Sequence, residues 1–243
     1  MKTAIITGVS GGIGSALCKA YLDQGYFVIG QYNSNIAGLN ALKTQLEQTG
    51  NAQMFFPVQA DFSKIGGAQE FCDKVLSQIK SVDVLICNAG VDVYKLLTQT
   101  EEQDWQRVFD VNVRSAFVLS KNFIPLMQNK SYGRVIYISS IWGVKGACME
   151  AVYSSSKFAL IGMAKSLAKE VGSNGITVNC ICPGVVDTPM NDCFTDQELK
   201  QIVSDTPVQR ICSPKEIADL ALYLTNSGFV TGEAVVIDGG FTL

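Results

Sequence analysis

The sequence predicts an α/β fold, a doubly wound parallel sheet of about seven strands with helices on both faces. Three observations carry the prediction. Short apolar runs alternate with longer amphipathic ones along the chain. The short runs are almost continuous in Val, Ile and Leu, as in Val82-Asp83-Val84-Leu85-Ile86 and Arg134-Val135-Ile136-Tyr137-Ile138, which suits strands buried on both faces. The first of them leads straight into a glycine-rich turn.

Taken in order, the first strand spans 2–7 around Ala4-Ile5-Ile6, and a helix at 12–24 follows its glycine turn. A strand at 27–31 and a helix at 36–49 repeat the unit, and a strand at 53–58 and a helix at 64–80 repeat it again. The fourth strand, 83–87, precedes a long helical stretch at 101–128 that is expected to be broken or bent. Strands at 133–139 and 176–182 flank a helix at 151–172, and a helix at 214–225 leads to a last strand at 234–237. One long irregular region remains, 183–212, which opens with Pro183-Gly184, carries Pro189 and Pro207, and holds a short helix at 195–204. A loop of this length reads as a lid over a substrate site. No Pro/Gly-rich linker or internal repeat divides the chain, so residues 1–243 read as one domain.

Composition narrows the chemistry. The 243 residues include no histidine, are 47% hydrophobic and carry a net charge of −3. A Ser-His-Asp triad, a Cys-His dyad and any His-ligated metal site are thereby excluded, and no metal is expected. Any proton donor must be Tyr, Lys, Cys or a carboxylate. The eight cysteines (Cys18, Cys72, Cys87, Cys148, Cys180, Cys182, Cys193 and Cys212) form no C-x-x-C pair. They read as small buried hydrophobes in a reducing compartment. No apolar stretch approaches the roughly 20 residues of a membrane span. The N-terminal apolar segment is too short for a signal peptide, so a cytoplasmic location is expected. The acidic balance and the lack of a Lys/Arg block argue against nucleic acid.

The turn after the first strand reads Thr7-Gly8-Val9-Ser10-Gly11-Gly12-Ile13-Gly14. Glycines at a strand-to-helix turn let backbone N–H groups approach a pyrophosphate, and the helix N-terminus adds partial positive charge. In the first strand–helix unit of an α/β chain this predicts a Rossmann-type dinucleotide site using Gly8, Ser10, Gly12, Ile13 and Gly14. The second strand ends in Tyr32-Asn33-Ser34, where an acid would bind the ribose hydroxyls of NAD and repel a 2′-phosphate. No acid stands there, which favours NADP(H), and no Arg or Lys stands there either, which leaves NAD(H) permitted.

Tyr153 and Lys157 lie at i and i+4 on an expected helix and share one face. An ammonium beside a phenol lowers its pKa and supplies an acid/base without histidine. Ser140 closes the fifth strand, Asn88-Ala89-Gly90 the fourth, and Pro183-Gly184 follows the sixth. Strand C-termini are where open α/β sheets bind ligands.

With those residues in that order, the sequence resembles the short-chain dehydrogenase/reductase family. The matching motifs run through the whole chain: T-G-x-x-x-G-x-G at 7–14, Asp61, N-A-G at 88–90, Asn112, Ser140, Y-x-x-x-K at 153–157, P-G at 183–184, Thr188, T-G at 231–232 and I-D-G-G at 237–240. The resemblance implies that Tyr153 gives a proton to a substrate carbonyl, that Lys157 tunes it and binds the nicotinamide ribose, and that Ser140 hydrogen-bonds the substrate oxygen. It implies that Asn112 holds a water linking Lys157 to solvent, and that Asp61 and Phe62 flank adenine. Asn88, Ala89 and Gly90, with Pro183, Gly184 and Val186, would line the cofactor, and Thr188 would contact the carboxamide. Asp61 also reads as a plain helix N-cap, and Asn112 as a polar residue at a helix bend. The family further implies a homotetramer built through 101–128, 151–172 and the last strand.

Within the family the pattern is most similar to 3-oxoacyl-[acyl-carrier-protein] reductases, with Pro207-x-x-Arg210 and the D-G-G ending in agreement. Their frequent basic residue in the glycine turn is Gly11 here, and their arginines facing an acidic carrier protein are replaced by Ser131, Tyr132 and Asn174. Lys130 is the one substitute. Ser140-Ile141-Trp142-Gly143, Glu150, Val186-Asp187-Thr188-x-Met190 and Phe194 are instead similar to reductases of the 5-aminopentanone modification on elongation factor P. Glu150 would then meet the substrate ammonium, or else it is a solvent-facing acid in the first helical turn. Trp142 either walls the pocket or packs beside it. A non-catalytic dinucleotide-binding regulator is the competing class, and the intact Ser140, Tyr153, Lys157 and Asn112 weigh against it.

Overall fold

A computed structural model describes residues 1–189 and 194–243 of the chain; Met190 and Cys193, both singled out above, lie outside the described residues, as does part of the 183–212 region. Seven strands, β1 (Thr3–Thr7), β2 (Phe27–Tyr32), β3 (Phe55–Gln59), β4 (Val84–Cys87), β5 (Gly133–Ile138), β6 (Ile176–Pro183) and β7 (Ala234–Ile237), form one sheet in the order β3-β2-β1-β4-β5-β6-β7. Every neighbouring pair is parallel. The helices are α1 (Gly12–Asp23), α2 (Ile36–Gln48), α3 (Gly67–Leu76), α4 (Glu102–Phe109), α5 (Ser115–Gln128), α6 (Ala151–Val171), α7 (Asp196–Asp205) and α8 (Pro214–Asn226).

Side-chain alternation on the strands divides the core in two. Ile5, Leu85, Val135 and Val178 face Phe71 of α3, Phe123 of α5 and Leu160 of α6. Ala4, Ile6, Val84, Ile136 and Ile181 face Leu17 of α1, Leu42 of α2 and Ile217 of α8. Because both faces are covered, the strands need apolar residues at successive positions, which is why they read as continuous runs. Two of the helices on the second face, α1 and α8, are also joined by a polar clasp, in which the buried Tyr21 hydroxyl meets Thr225 Oγ1 and donates to the Ala221 carbonyl at 3.2 Å.

Two elements depart from the expected bounds by two residues or more. The 64–80 helix begins only at Gly67, because Gly66 adopts φ +87° and stops helical geometry from extending backwards, and it ends at Leu76. The strand expected at 53–58 starts at Phe55, since Ala52–Met54 form a 3₁₀ turn. The 101–128 stretch is broken as expected, and the break is a π-helical turn over Asp110–Arg114 between α4 and α5. Such turns widen the helix by one residue and recur at functional positions.

The strand order reverses direction between β1 and β4. Chain leaving β1 turns to one side of the sheet and chain leaving β4 to the other, which opens a crevice at their C-terminal ends. Thr7 bridges this crevice: its Oγ1 accepts the N–H groups of Asn88 at 2.9 Å and Ala89 at 2.8 Å. Among the described residues no helix is long and apolar enough to cross a membrane.

Candidate active site

The glycine turn is shaped for close approach. Gly8 has φ +71°, a conformation costly for any residue with a Cβ. A Cβ on Gly14 would lie 2.0 Å from the Gly8 carbonyl oxygen, so only glycine lets α1 begin this near the turn. α1 has no side-chain cap and no acid in its first turn, which leaves its N-terminal N–H groups for an anionic ligand. This cradle suits the pyrophosphate of a dinucleotide. Ser10 and Ile13 frame it, with Ile13 partly buried against the α1 side of the core.

Two residues that the sequence reading passed over hold the turn. Gln31, buried in β2, accepts the Gly8 N–H on Oε1 at 2.9 Å and donates from Nε2 to the Ala60 carbonyl at 2.7 Å. Asn35 caps α2 by accepting the Gly38 N–H, and its Nδ2 donates to the Ser10 carbonyl at 2.8 Å. A polar residue inside an apolar strand was the available signal for Gln31. Tyr32, Asn33 and Ser34 stand beside them at the end of β2, with Asn33 and Ser34 exposed and uncharged.

Asp61 is not a helix N-cap. Its Oδ1 accepts the Ser63 N–H at 3.0 Å and the Ser63 hydroxyl at 2.6 Å, and this hydroxyl bond is the main force holding its carboxyl below the usual range. The Phe62 ring is buried in the core edge-on to Phe71, which leaves its main chain to face the crevice.

Asn112 projects from the π-helical turn into the core and is buried. Its Oδ1 accepts the Val91 N–H at 2.8 Å, and its Nδ2 donates to the Val91 carbonyl at 2.9 Å and to Ser156 Oγ at 3.0 Å. These bonds tie the loop after β4 to α6. The amide side chain is therefore committed to protein partners. Asn88 Nδ2 donates to the Thr7 carbonyl at 2.8 Å, and Ala89 and Gly90 carry the loop on toward Lys157, whose Nζ would be 3.4 Å from a Cβ on Gly90.

Ser140, Tyr153 and Lys157 converge at the C-terminal end of β5. Ser140 is buried directly after the strand, and its Oγ accepts the Trp142 N–H at 3.1 Å. Lys157 is buried, donates from Nζ to the Ile138 carbonyl at 2.9 Å, and places its ammonium 5.4 Å from the Tyr153 ring centre. The neighbouring Ser139 hydroxyl donates to the Lys157 carbonyl at 2.9 Å and so fixes α6 against β5.

The Tyr153 phenol is raised above its ordinary pKa, first by burial and then by the carboxyl groups of Asp92 and Glu150, with a hydrogen bond from Ser140 acting weakly the other way. Burial pulls Lys157 itself down to about 8. Glu150 precedes the first residue of α6, is half-buried, and is pushed up to about 7 by burial and by Asp92. It stands at the N-cap position of α6 without a side-chain capping bond, and it is part-buried rather than solvent-facing. Asp92, absent from the sequence reading, is itself raised by burial, against the pull of the Val93 N–H, Lys157 and Arg107.

Residues 183–189 return to the glycine turn. Thr188 sits over α1, where its Cγ2 would be 2.6 Å from a Cβ on Gly12. Pro183 ends β6, the Gly184 N–H donates to the Ile237 carbonyl at 3.0 Å, and Val186 is buried and bridges to Cys212. Arg210 is committed to Glu216 through two bonds of 2.7 and 2.8 Å. Beneath α7 lies a cavity of about 190 Å³ lined by Val185, Ile202, Thr206 and Phe241. Phe241 packs edge-on against Trp142, which places Trp142 between this cavity and Ser140.

Comparison with known proteins agrees with this geometry. The family model for short chain dehydrogenases matches residues 2–199. The oxidoreductase YmfI of Bacillus subtilis is 36% identical, over 99% of this chain and 98% of that protein. The 3-oxoacyl-[acyl-carrier-protein] reductase FabG of Chlamydia trachomatis is 36% identical, over 98% of this chain and 96% of that protein. A Beutenbergia cavernae structure assigned as an NAD(P)-dependent gluconate 5-dehydrogenase, with NADP bound at low occupancy, superposes with a TM-score of 0.92 at 28% identity. That likeness covers 99% of this chain and 96% of the other.

Proposed function

Because the chain belongs to the short chain dehydrogenase family, we propose that it is a cytoplasmic NADP(H)-dependent reductase that converts a ketone to a secondary alcohol. The observation that carries the reading is the convergence of Ser140, Tyr153 and the buried Lys157 beside the glycine cradle. Residues 1–243 act as one unit, with 183–212 as the lid. The uncharged end of β2 and the NADP in the Beutenbergia structure support the choice of cofactor.

A bound nicotinamide dinucleotide supplies the hydride for the carbonyl carbon. The glycine turn and the N-terminus of α1 would hold its pyrophosphate, the main chain near Asp61 and Phe62 its adenine, and Lys157 and Thr188 its nicotinamide end. Ser140 donates a hydrogen bond to the substrate oxygen and places it beside the phenol. Tyr153 then gives its proton to the developing alkoxide, a proton that a phenol holds at neutral pH. Lys157 lies next to the phenolate that remains and stabilises its charge.

The substrate follows the 3-oxoacyl-[acyl-carrier-protein] reductase type, which full-length identity to FabG supports. One observation favours the second reading, a 5-aminopentanone group on elongation factor P. Two carboxyl groups, Asp92 and Glu150, act on Tyr153, while the one basic substitute for a carrier-protein contact, Lys130, is engaged by Asp83 at 2.5 Å.

The test is NADPH oxidation with an activated ketone, an acetoacetyl thioester and modified elongation factor P. Wild-type protein should turn over at least one of them, and Tyr153→Phe should lose about 10²- to 10⁴-fold in kcat with cofactor binding intact. Tight cofactor binding without turnover in either protein would leave a regulator as the better reading.

A further inference from the structure

The π-helical turn over Asp110–Arg114 reaches the candidate site on two sides. On one side Asn112 holds Val91 and Ser156, and the Ser156 hydroxyl donates in turn to the Tyr153 carbonyl at 2.7 Å. On the other, Arg114 donates from Nη2 to the Lys64 carbonyl at 3.2 Å, in the loop after β3. Arg114 is itself fixed. Its Nη1 pairs with Oδ1 of Asp110 at 3.0 Å, and Gln106 Nε2 donates to the same oxygen at 2.7 Å. Asp110 is buried, so this carboxylate orients the guanidinium from a rigid position.

The loop that Arg114 reaches, residues 61–67, is a tight closed turn. The Lys64 N–H donates to the Asp61 carbonyl at 3.3 Å, and the Gly67 N–H donates to the Lys64 carbonyl at 3.1 Å. A Cβ on Gly67 would lie 2.0 Å from the Asp61 carbonyl oxygen, so a glycine is needed to close it. The Asp61 carboxylate accepts from Ser63 across the turn.

The two ends of the loop are held differently. The near end is tied to the glycine cradle, because the Gln31 side chain joins the Gly8 N–H to the Ala60 carbonyl, and the Ala60 N–H donates to the Tyr32 carbonyl at 3.0 Å. Residues 64–66 are exposed, and Ile65 is 89% exposed, so packing does little to hold that part. The Arg114 bond fixes it from outside the loop. Such a bond matters where apolar burial does not order the chain.

We infer that Arg114 is a positioning residue for the adenine end of the dinucleotide: it anchors the 61–67 loop to the turn that carries Asn112, so one π-helical turn sets both ends of the cofactor site. The inference rests on the reading in which the main chain near Asp61 and Phe62 holds adenine. Without the anchor the loop samples more conformations, and adenine must order it on binding. The nicotinamide end, built on Asn112, Ser156 and Lys157, keeps its own bonds.

The experiment titrates full-length wild type, Arg114→Met, and Asp110→Asn combined with Arg114→Met. The probes are NADPH, 2′,5′-ADP for the adenosine half and reduced nicotinamide mononucleotide for the other half. Arg114→Met alone leaves the buried Asp110 charge without its cation. The double variant replaces that carboxylate by an amide that still accepts from Gln106, and thermal unfolding should find it folded. In the folded variants, Kd for 2′,5′-ADP and KM for NADPH should rise about fivefold to tenfold, while kcat at saturating NADPH and Kd for the mononucleotide stay within about twofold of wild type. An unchanged Kd for 2′,5′-ADP in the folded double variant overturns the inference. An equal loss for the mononucleotide does so too, since that marks a general loosening of the site. Both of those outcomes leave the dinucleotide reading standing; a wild type that binds none of the three probes defeats that reading and the inference with it.

Discussion

Glu150 links the electrostatics of single residues to substrate choice. Its carboxyl titrates near 7 because burial and Asp92 both oppose its charge. Below that pH it is largely neutral and offers nothing to an ammonium; above it the carboxylate attracts one. The rate advantage of an aminoketone over a neutral ketone should therefore grow as pH rises through about 7, and Glu150→Gln should remove the growth while sparing the neutral ketone. Paired kcat/KM profiles of the two substrates check this, and a pH-independent ratio in wild type would deny Glu150 the role. At this scale the sequence was informative where chemistry is local. Tyr153 and Lys157 are neighbours by helical spacing alone, and Gly8 and Gly14 by strand-to-helix geometry. The direction of the Tyr153 shift was not legible, because it comes from burial and from Asp92, which lies 61 residues away in sequence.

The π-helical turn between α4 and α5 is the element that does most to shape the site. Without it Asn112 would be one more residue on a helical face; with it, the amide reaches both the loop after β4 and Ser156 of α6. Asn112→Ala leaves the Val91 N–H and carbonyl without their partner in a buried setting. We expect a loss of about 3 kcal/mol in stability, read by urea denaturation, together with a fall in kcat as the Asp92 loop loosens. A variant as stable as wild type would show that the clamp contributes little. The break at 101–128 was foreseen from the sequence, yet its form was not, since one extra residue in a helical turn leaves the apolar pattern nearly unaltered. The late start of α3 has the same character: Gly66 stops that helix through its positive φ, which composition does not reveal.

On the scale of the whole molecule, apolar surface stays open on α5 and α6 and again on α8 and β7. Phe117 and Phe158 on α5 and α6 are about half exposed, beside a groove of about 400 Å³ that Ile124, Met163 and Leu167 line. Tyr223, Phe229 and Val236 are exposed on α8, in the turn after it and on the edge strand β7. Apolar surface in two separate patches suits assembly with two-fold symmetry through each of them. Light scattering should find a tetramer, and Phe117→Glu with Phe158→Glu should reduce it to a smaller species; a wild-type monomer would contradict the proposal. Phe158 and Val236 lie in segments that the family resemblance assigned to assembly, which periodicity alone cannot do, because it does not separate burial in a fold from burial in an assembly.

The Thr7 hydroxyl, which accepts from both Asn88 and Ala89, has a consequence for how the protein matures. The two sides of the dinucleotide crevice are joined across 81 residues of sequence, through β1 and β4. Closing so long a loop is slow, and neither the glycine turn nor the N-A-G turn has its shape until that pairing is made. A nascent chain with only its first strand–helix unit folded would hold the binding motif without binding competence. Once the pairing forms, a bound dinucleotide selects the finished chain over every partly folded one and stabilises it by mass action. Cellular cofactor concentration thereby becomes a term in how much of this protein persists folded.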